Sequence, residues 1–284
     1  MDPLLKWPGG KRWLAPIIAP SIEGRYSRFV EPFLGAGALL FQLEPAKGFA
    51  ADINAELVAA YHAVQEQPAE IIFSLSELGC AKSDYYRIRD GCMPETSYGR
   101  AARLIYLLQH SWNGLYRVNR VGHFNVPYSP RIRKHPLTIE KLTQFSRVLS
   151  GITIECQDFE KTLEESRPGD LIFADPPYFS KDAKGFSRYN AVAFPQAEQE
   201  RLASALKQAE RRGAAWILTN GSVESVNGFF KGYETFELSR RSALAADPAR
   251  RRRISEYIVL SSSDALSSLR EFLRDQLACQ VGTG

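Results

Sequence analysis

Acidic residues are missing from one long stretch of the chain: no Asp or Glu occurs between Thr96 and Ile139, where Arg100, Arg103, Arg117, Arg120, Arg131, Arg133 and Lys134 all fall. The net charge of +4 hides this asymmetry. A second basic cluster, Arg240, Arg241 and Arg250 to Arg253, stands near the C-terminus. Local basic zones on a near-neutral chain point to a polyanionic partner, with solvated basic faces as the plainer alternative. Cysteine is also scarce. Cys80, Cys92, Cys156 and Cys279 form no Cys-x-x-Cys pair and have no histidine at zinc-ligand spacing, which excludes a disulfide framework and a zinc ribbon and implies reduced thiols. No apolar run is long enough to span a bilayer and no signal-peptide core opens the chain, so a cytoplasmic protein with no membrane partner is expected. Internal repeats and low-complexity tracts are absent as well.

The 44% apolar fraction is enough for a sizeable core, and its patterning changes twice along the chain. Lys6, Trp7, Pro8, Gly9, Gly10 and Lys11 form a turn-prone loop, in which Trp7 serves either as a packing arm or as cover for an adenine ring. The run from Arg28 to Phe41 reads as strand, then Gly35-Ala36-Gly37, then helix. It matches half of a nucleotide-binding fingerprint, but Leu40 stands where a dinucleotide site needs a third glycine, so a single nucleoside fits better than a pyrophosphate. Glu31, at the end of that strand, could receive a positively charged amino group. Asp52 closes the next short strand, where doubly wound sheets place an acid beside a ribose; capping of the helix from Ala55 to Gln65 by Asp52 or Asn54 is the structural alternative.

From Pro68 to Ser150 the strand–helix alternation stops. Apolar spacing of three and four residues in 71–78, 101–108 and 139–149 predicts several helices. Among them, His110 to Tyr128 mixes Trp112, Tyr116, Phe124 and Tyr128 with arginines, asparagines and two glycines. Such a segment is either a hairpin that meets nucleic acid or a polar hairpin that packs on its helices. After Gly151 the alternation resumes, with strands at 152–156, 171–174, 214–219, 233–238 and 256–260, and a helix over 196–212. Segments 179–194 and 243–253 read as exposed loops.

The strand at 171–174 ends in Asp175-Pro176-Pro177-Tyr178, since the prolines have no N–H with which to continue a ladder. The exocyclic amino group of adenine is a poor nucleophile because its lone pair is delocalised into the ring. A carboxylate (Asp175) and a carbonyl (Pro176), both accepting hydrogen bonds from that group, would aim the lone pair, and Tyr178 would stack on the base. The matching electrophile is the sulfonium methyl of S-adenosylmethionine along the Gly35-Gly37 loop, and no metal is needed.

Taken together and in order, Lys6-Trp-Pro-Gly-Gly-Lys11, Phe29-Val-Glu-Pro-Phe-Leu-Gly-Ala-Gly37, Ala51-Asp-Ile-Asn54, Trp112-Asn-Gly-Leu-Tyr-Arg117, Phe124-Asn-Val-Pro127 and Asp175-Pro-Pro-Tyr178 resemble the Dam-type (D12 class) DNA adenine-N6 methyltransferases. The resemblance spans nearly the whole chain. It implies an α/β, Rossmann-like S-adenosylmethionine-dependent methyltransferase sheet, built from 1–66 and 151–284, with an inserted, mainly helical target-recognition domain over 67–150. It implies cofactor contacts at Trp7, Lys11, Asp52 and Asp175, beside the Glu31, Gly35 and Gly37 already singled out. It places double-stranded DNA against Trp112, Asn113, Leu115, Arg117, Asn125 and Arg131. Members that read GATC carry a motif resembling Phe-Gly-Arg-Tyr after Phe-Asn-Val-Pro, whereas this chain has Tyr128-Ser-Pro-Arg131, so the resemblance does not carry GATC over as the target.

Overall fold

The computed structural model describes residues 1–130, 137–177, 194–221, 223–241 and 253–281. In chain order these form α1 (Ala15–Ile22), β1 (Arg28–Glu31), α2 (Ala38–Leu43), β2 (Gly48–Asp52), α3 (Ala55–Glu66), α4 (Pro68–Ser76) and α5 (Lys82–Asp90). There follow α6 (Ser97–His110), α7 (Ile139–Leu149), β3 (Ile152–Cys156), α8 (Phe159–Glu164), β4 (Asp170–Ala174) and α9 (Gln196–Arg211). The chain closes with β5 (Ala215–Asn220), α10 (Val223–Phe229), β6 (Glu234–Arg241), β7 (Arg253–Leu260) and α11 (Ser267–Val281). The fold is mixed α/β with a seven-stranded sheet. The chain divides into two compact units, Met1–Arg12 with Leu34–Cys156, and Trp13–Phe33 with Gln157–Gly284.

In the first unit β2 and β3 are parallel, in register from Gly48↔Ile152 to Asp52↔Cys156, so Asp52 stands at the carboxyl end of its strand. Gly151 allows the two chains to meet, because a Cβ there would lie 2.4 Å from the Ala46 carbonyl oxygen. A parallel pair needs a long crossover, and here α3 to α7 supply it. Asn54 starts α3 by accepting from the Leu57 amide at 3.0 Å. One face of α3 buries Leu57, Val58, Tyr61 and Val64. The centre of the helical layer is α6, buried on nearly every side from Ala101 to Leu108 and packed on α3 and α4. Buried Arg103 projects from it to cap the end of α5, donating to the carbonyls of Ile88 (3.1 Å) and Arg89 (2.8 Å).

The second unit carries the strands in the order β1-β4-β5-β7-β6. β1 with β4 and β4 with β5 are parallel; β7 runs antiparallel to both β5 and β6. β4 and β5 are buried at every position, as strands covered on both faces must be. The first residue of β4 sets the register: Asp170, in line with Arg28, takes its guanidinium at 3.0 and 2.7 Å and also accepts from the Arg167 amide at 2.8 Å. Trp216 of β5 is fully buried against Phe230 and Tyr233. Glu210 accepts from the indole at 3.2 Å and from the Tyr233 hydroxyl at 2.8 Å.

Most expected elements are found within a few residues of the predicted ends, β3 to the residue. β6 and β7 are longer than predicted, and α1, α5, α10 and α11 were not anticipated. The expected loop over 179–194 lies outside the described residues except for buried Phe194, and that over 243–253 except for Arg253, which opens β7.

Candidate active site

The first unit brings together Trp7, Lys11, Gly35, Gly37 and Asp52. Trp7 to Gly10 form a tight turn with Pro8 and Gly9 at its centre, closed by the Gly10 amide on the Trp7 carbonyl at 3.2 Å. Gly9 has φ +80°, the left-handed value that the third residue of a type II turn requires. Lys11 is buried and its Nζ donates to the Gly9 carbonyl at 2.9 Å, so the ammonium also braces the turn. The turn rests on the glycine loop: a Cβ on Gly35 would meet the Trp7 indole at 3.1 Å. Gly35 and Gly37 both have positive φ, +45° and +61°.

Asp52 is tied into the same loop. One carboxylate oxygen accepts from the Gly35 amide and the other from the Asn54 amide, each at 2.9 Å. Burial pushes its pKa above the usual value of 3.8, against the pull of the amides of Asn54, Gly35 and Ile53. The two alternatives for this segment are thus divided between neighbours: Asn54 caps α3, and Asp52 holds the glycine loop. Sequence reasoning did not anticipate Tyr116, whose ring stacks on Trp7 with centroids 4.6 Å apart and planes at 27°. Its hydroxyl donates to Glu56 at 2.8 Å, and burial raises its pKa to about 12.

The hairpin lies in the same unit. Antiparallel bridges join Ser111 to Tyr128 and Val118 to Phe124. At the tip, the Asn119 side chain accepts from the amides of Val121 (3.0 Å) and His123 (2.9 Å). Arg117 reaches across to Asn125, donating to its side-chain oxygen at 2.6 Å and its carbonyl at 2.8 Å. Trp112 and Val121 are exposed, 37% and 73%, while Leu115 is half-buried. Asn113 adopts φ +55°, and the Lys6 side chain packs on Gly114 beside it. Arg131 lies outside the described residues.

The second unit holds Glu31 and Asp175. Glu31 is buried at the end of β1. Asp175 follows β4 directly and is half-buried, with Pro176 buried and Pro177 exposed behind it. The Thr219 hydroxyl donates to Asp175 at 2.5 Å. Pairing of Ala174 with Leu218 puts Thr219 one step along the neighbouring strand. Tyr178 lies outside the described residues. Among those residues no group of three or more His, Cys, Asp or Glu is placed to hold a metal ion, and no helix is long and apolar enough to cross a membrane.

The residues of the first unit fit a nucleoside cofactor. Gly35 and Gly37, both at positive φ and with Trp7 and Phe41 packed where a Cβ would stand, form a glycine turn after a strand, and a carboxylate stands at the adjoining strand end. Residues 7–244 match the family model of the D12 class N6 adenine-specific DNA methyltransferases. The chain is 34% identical over 271 residues to the type II methyltransferase M1.LlaDCHI of Lactococcus lactis subsp. cremoris, covering 91% of this chain and 95% of that one. It is 32% identical over 263 residues to the type II methyltransferase M.MjaIII of Methanocaldococcus jannaschii, covering 84% and 90%. With a DNA adenine methylase of Escherichia coli it shares 24% identity over 274 residues, 94% and 98% of the two chains. Matched over most of its length, this chain belongs to the D12 class N6 adenine-specific DNA methyltransferase family.

Proposed function

We propose that this protein methylates the N6 amino group of adenine in duplex DNA, with S-adenosylmethionine as methyl donor. The observation that carries the reading is Asp175, set at the end of a fully buried strand, stiffened by two prolines and fixed in rotation by Thr219. In this role Asp175 and the Pro176 carbonyl accept hydrogen bonds from the adenine amino group and turn its lone pair toward the electrophile. Asp175 would not need to be a strong base, because an amino group that takes a methyl from a sulfonium becomes acidic enough to lose its proton to solvent. Positioning of this kind lowers a barrier by about 7–11 kcal/mol in favourable cases.

S-adenosylmethionine supplies an electrophilic methyl group on a sulfonium. Gly35 and Gly37 would give it backbone approach, Asp52 would accept from its ribose hydroxyls, and Trp7 and Lys11 would complete the set in the first unit. Asp52 gives this assignment a pH signature. The ionised carboxylate is the ribose acceptor, and burial raises its pKa, so protonation begins at higher pH than for an ordinary aspartate. Cofactor affinity therefore falls as pH drops through that window. The sign for folding is opposite: ionising a group whose folded pKa is raised costs stability as pH rises from 3.8 to the folded value, and bound cofactor offsets that cost. Titration of cofactor affinity against pH should show this acid limb in the wild type and a weaker, flat profile in Asp52→Asn; identical profiles would remove Asp52 from the ribose site.

A base inside a duplex cannot reach a strand end, so the target nucleotide is flipped at a cost of about a few kcal/mol. The acid-free stretch and the hairpin offset that cost: Trp112 fills the vacated stack, Asn113, Leu115, Arg117 and Asn125 face the DNA, and the clamp of Arg117 on Asn125 also holds the hairpin in shape. Incubation with methyl-labelled S-adenosylmethionine and duplex DNA, followed by digestion to nucleosides, should give labelled N6-methyladenine. Label on cytosine N4, on RNA only, or on neither would overturn the reading.

A further inference from the structure

Tyr116 belongs to neither set of residues just described, yet it packs on Trp7 of the first and stands in the hairpin that carries the second. Its ring lies on Trp7 at 4.6 Å, its hydroxyl bonds Glu56 at 2.8 Å, and its ring meets Phe124 edge-on at 6.0 Å and 68°. On one side these contacts close a ring. Trp7 abuts Gly35, Gly35 is bonded to Asp52, and Asp52 to Asn54. Asn54 then caps the helix whose first turn carries Glu56, the partner of Tyr116. On the other side Phe124 pairs with Val118 across the hairpin, and Arg117, the next residue in the chain, clamps Asn125. A shift of Tyr116 therefore disturbs its packing on Trp7, beside the glycine loop, and on Phe124 in the hairpin.

We propose that Tyr116 is a positioning residue that couples the two binding events: a ligand that fixes Trp7 against the glycine loop also orders the hairpin that meets DNA. The proposal rests on the cofactor and DNA assignments given above. Its thermodynamic content is a coupling factor, equal in both directions by linkage, and factors of about 5 to 150 are typical of such sites. Shared ordering suffices for it, since a ligand that has already restricted Trp7 and Tyr116 leaves the second ligand less to restrict.

The test measures the affinity of a duplex DNA with and without saturating S-adenosylhomocysteine, and the reciprocal, in the wild type, Tyr116→Phe, Tyr116→Leu, Trp7→Leu and the double variant. The wild type should show mutual tightening of about tenfold. Tyr116→Phe keeps the stack and should stay within about twofold of that factor, whereas Tyr116→Leu should bring it close to one while both ligands still bind. Trp7→Leu breaks the same stack from the opposite side, so it should lower the factor equally, and the double variant should lower it no further. It also keeps the proposal testable if Tyr116→Leu does not fold. Undiminished coupling in either leucine variant, or a wild type that binds both ligands independently, would overturn the coupling role and leave the function standing. A wild type that binds no cofactor or no DNA would overturn the functional reading itself, and the coupling with it.

Discussion

Asp175→Ala should lower methyl transfer by at least about 10²–10³-fold, the loss found when a preorganised polar contact to the reacting group is removed. The protein should remain folded. Asp175 is half-buried, and loss of its hydrogen bond from the Thr219 hydroxyl costs about 1 kcal/mol. In a chain of this size that corresponds to a melting shift of about 2–4 °C. Asp175→Asn is the informative companion. It keeps an acceptor oxygen but places an NH₂ group where the adenine amino group must donate, so it should lose turnover nearly as severely while matching the wild type in stability. Single-turnover transfer assays and thermal unfolding on the same samples check both statements. Near-wild-type turnover in either variant would place the acceptor site elsewhere.

Gly35→Val should weaken cofactor binding by about 30-fold or more and cost about 2 kcal/mol of stability, because two penalties coincide. Gly35 has φ +45°, a left-handed conformation that a β-branched residue adopts only under strain. Its Cβ would also stand 3.1 Å from the Trp7 ring, and the two γ-carbons would push the indole outward. The Gly35 amide is one of the donors that hold Asp52, so a twisted loop misplaces the carboxylate as well. Gly35→Ala carries the backbone strain with less displacement of Trp7 and should fall between the two. Calorimetric titration with S-adenosylhomocysteine and chemical denaturation measure the two effects separately. Wild-type affinity in Gly35→Val would remove the loop from the cofactor site.

What could be read from the sequence divides along a physical line. β4 was legible because Pro168-Gly169 and Pro176-Pro177 bracket an apolar run, and α3, α6 and α7 because their buried residues recur at helical spacing. α5 was not legible: among its residues Tyr85 alone is buried, so it has no apolar stripe to detect. α1 was masked by its own prolines, one at its start and Pro20 inside it. The candidate site followed the same rule. Asp52, Gly35, Gly37 and Asp175 could be singled out because each ends a strand or opens a loop. Their partners could not. Periodicity reports which face is buried, not that Thr219 will reach a carboxylate 44 residues earlier, nor that Tyr116 will lie on Trp7. Arg117 could be named for its type, but its two bonds to Asn125 could not be read from the sequence.

The Asn119 side chain, which gathers the amides of Val121 and His123, gives the hairpin tip a shape that does not depend on the identity of its outward-facing residues. Arg120, Val121 and His123 are all exposed, and beneath them the Arg117–Asn125 clamp is complete. These three side chains can therefore be exchanged one at a time while the backbone frame that presents them persists.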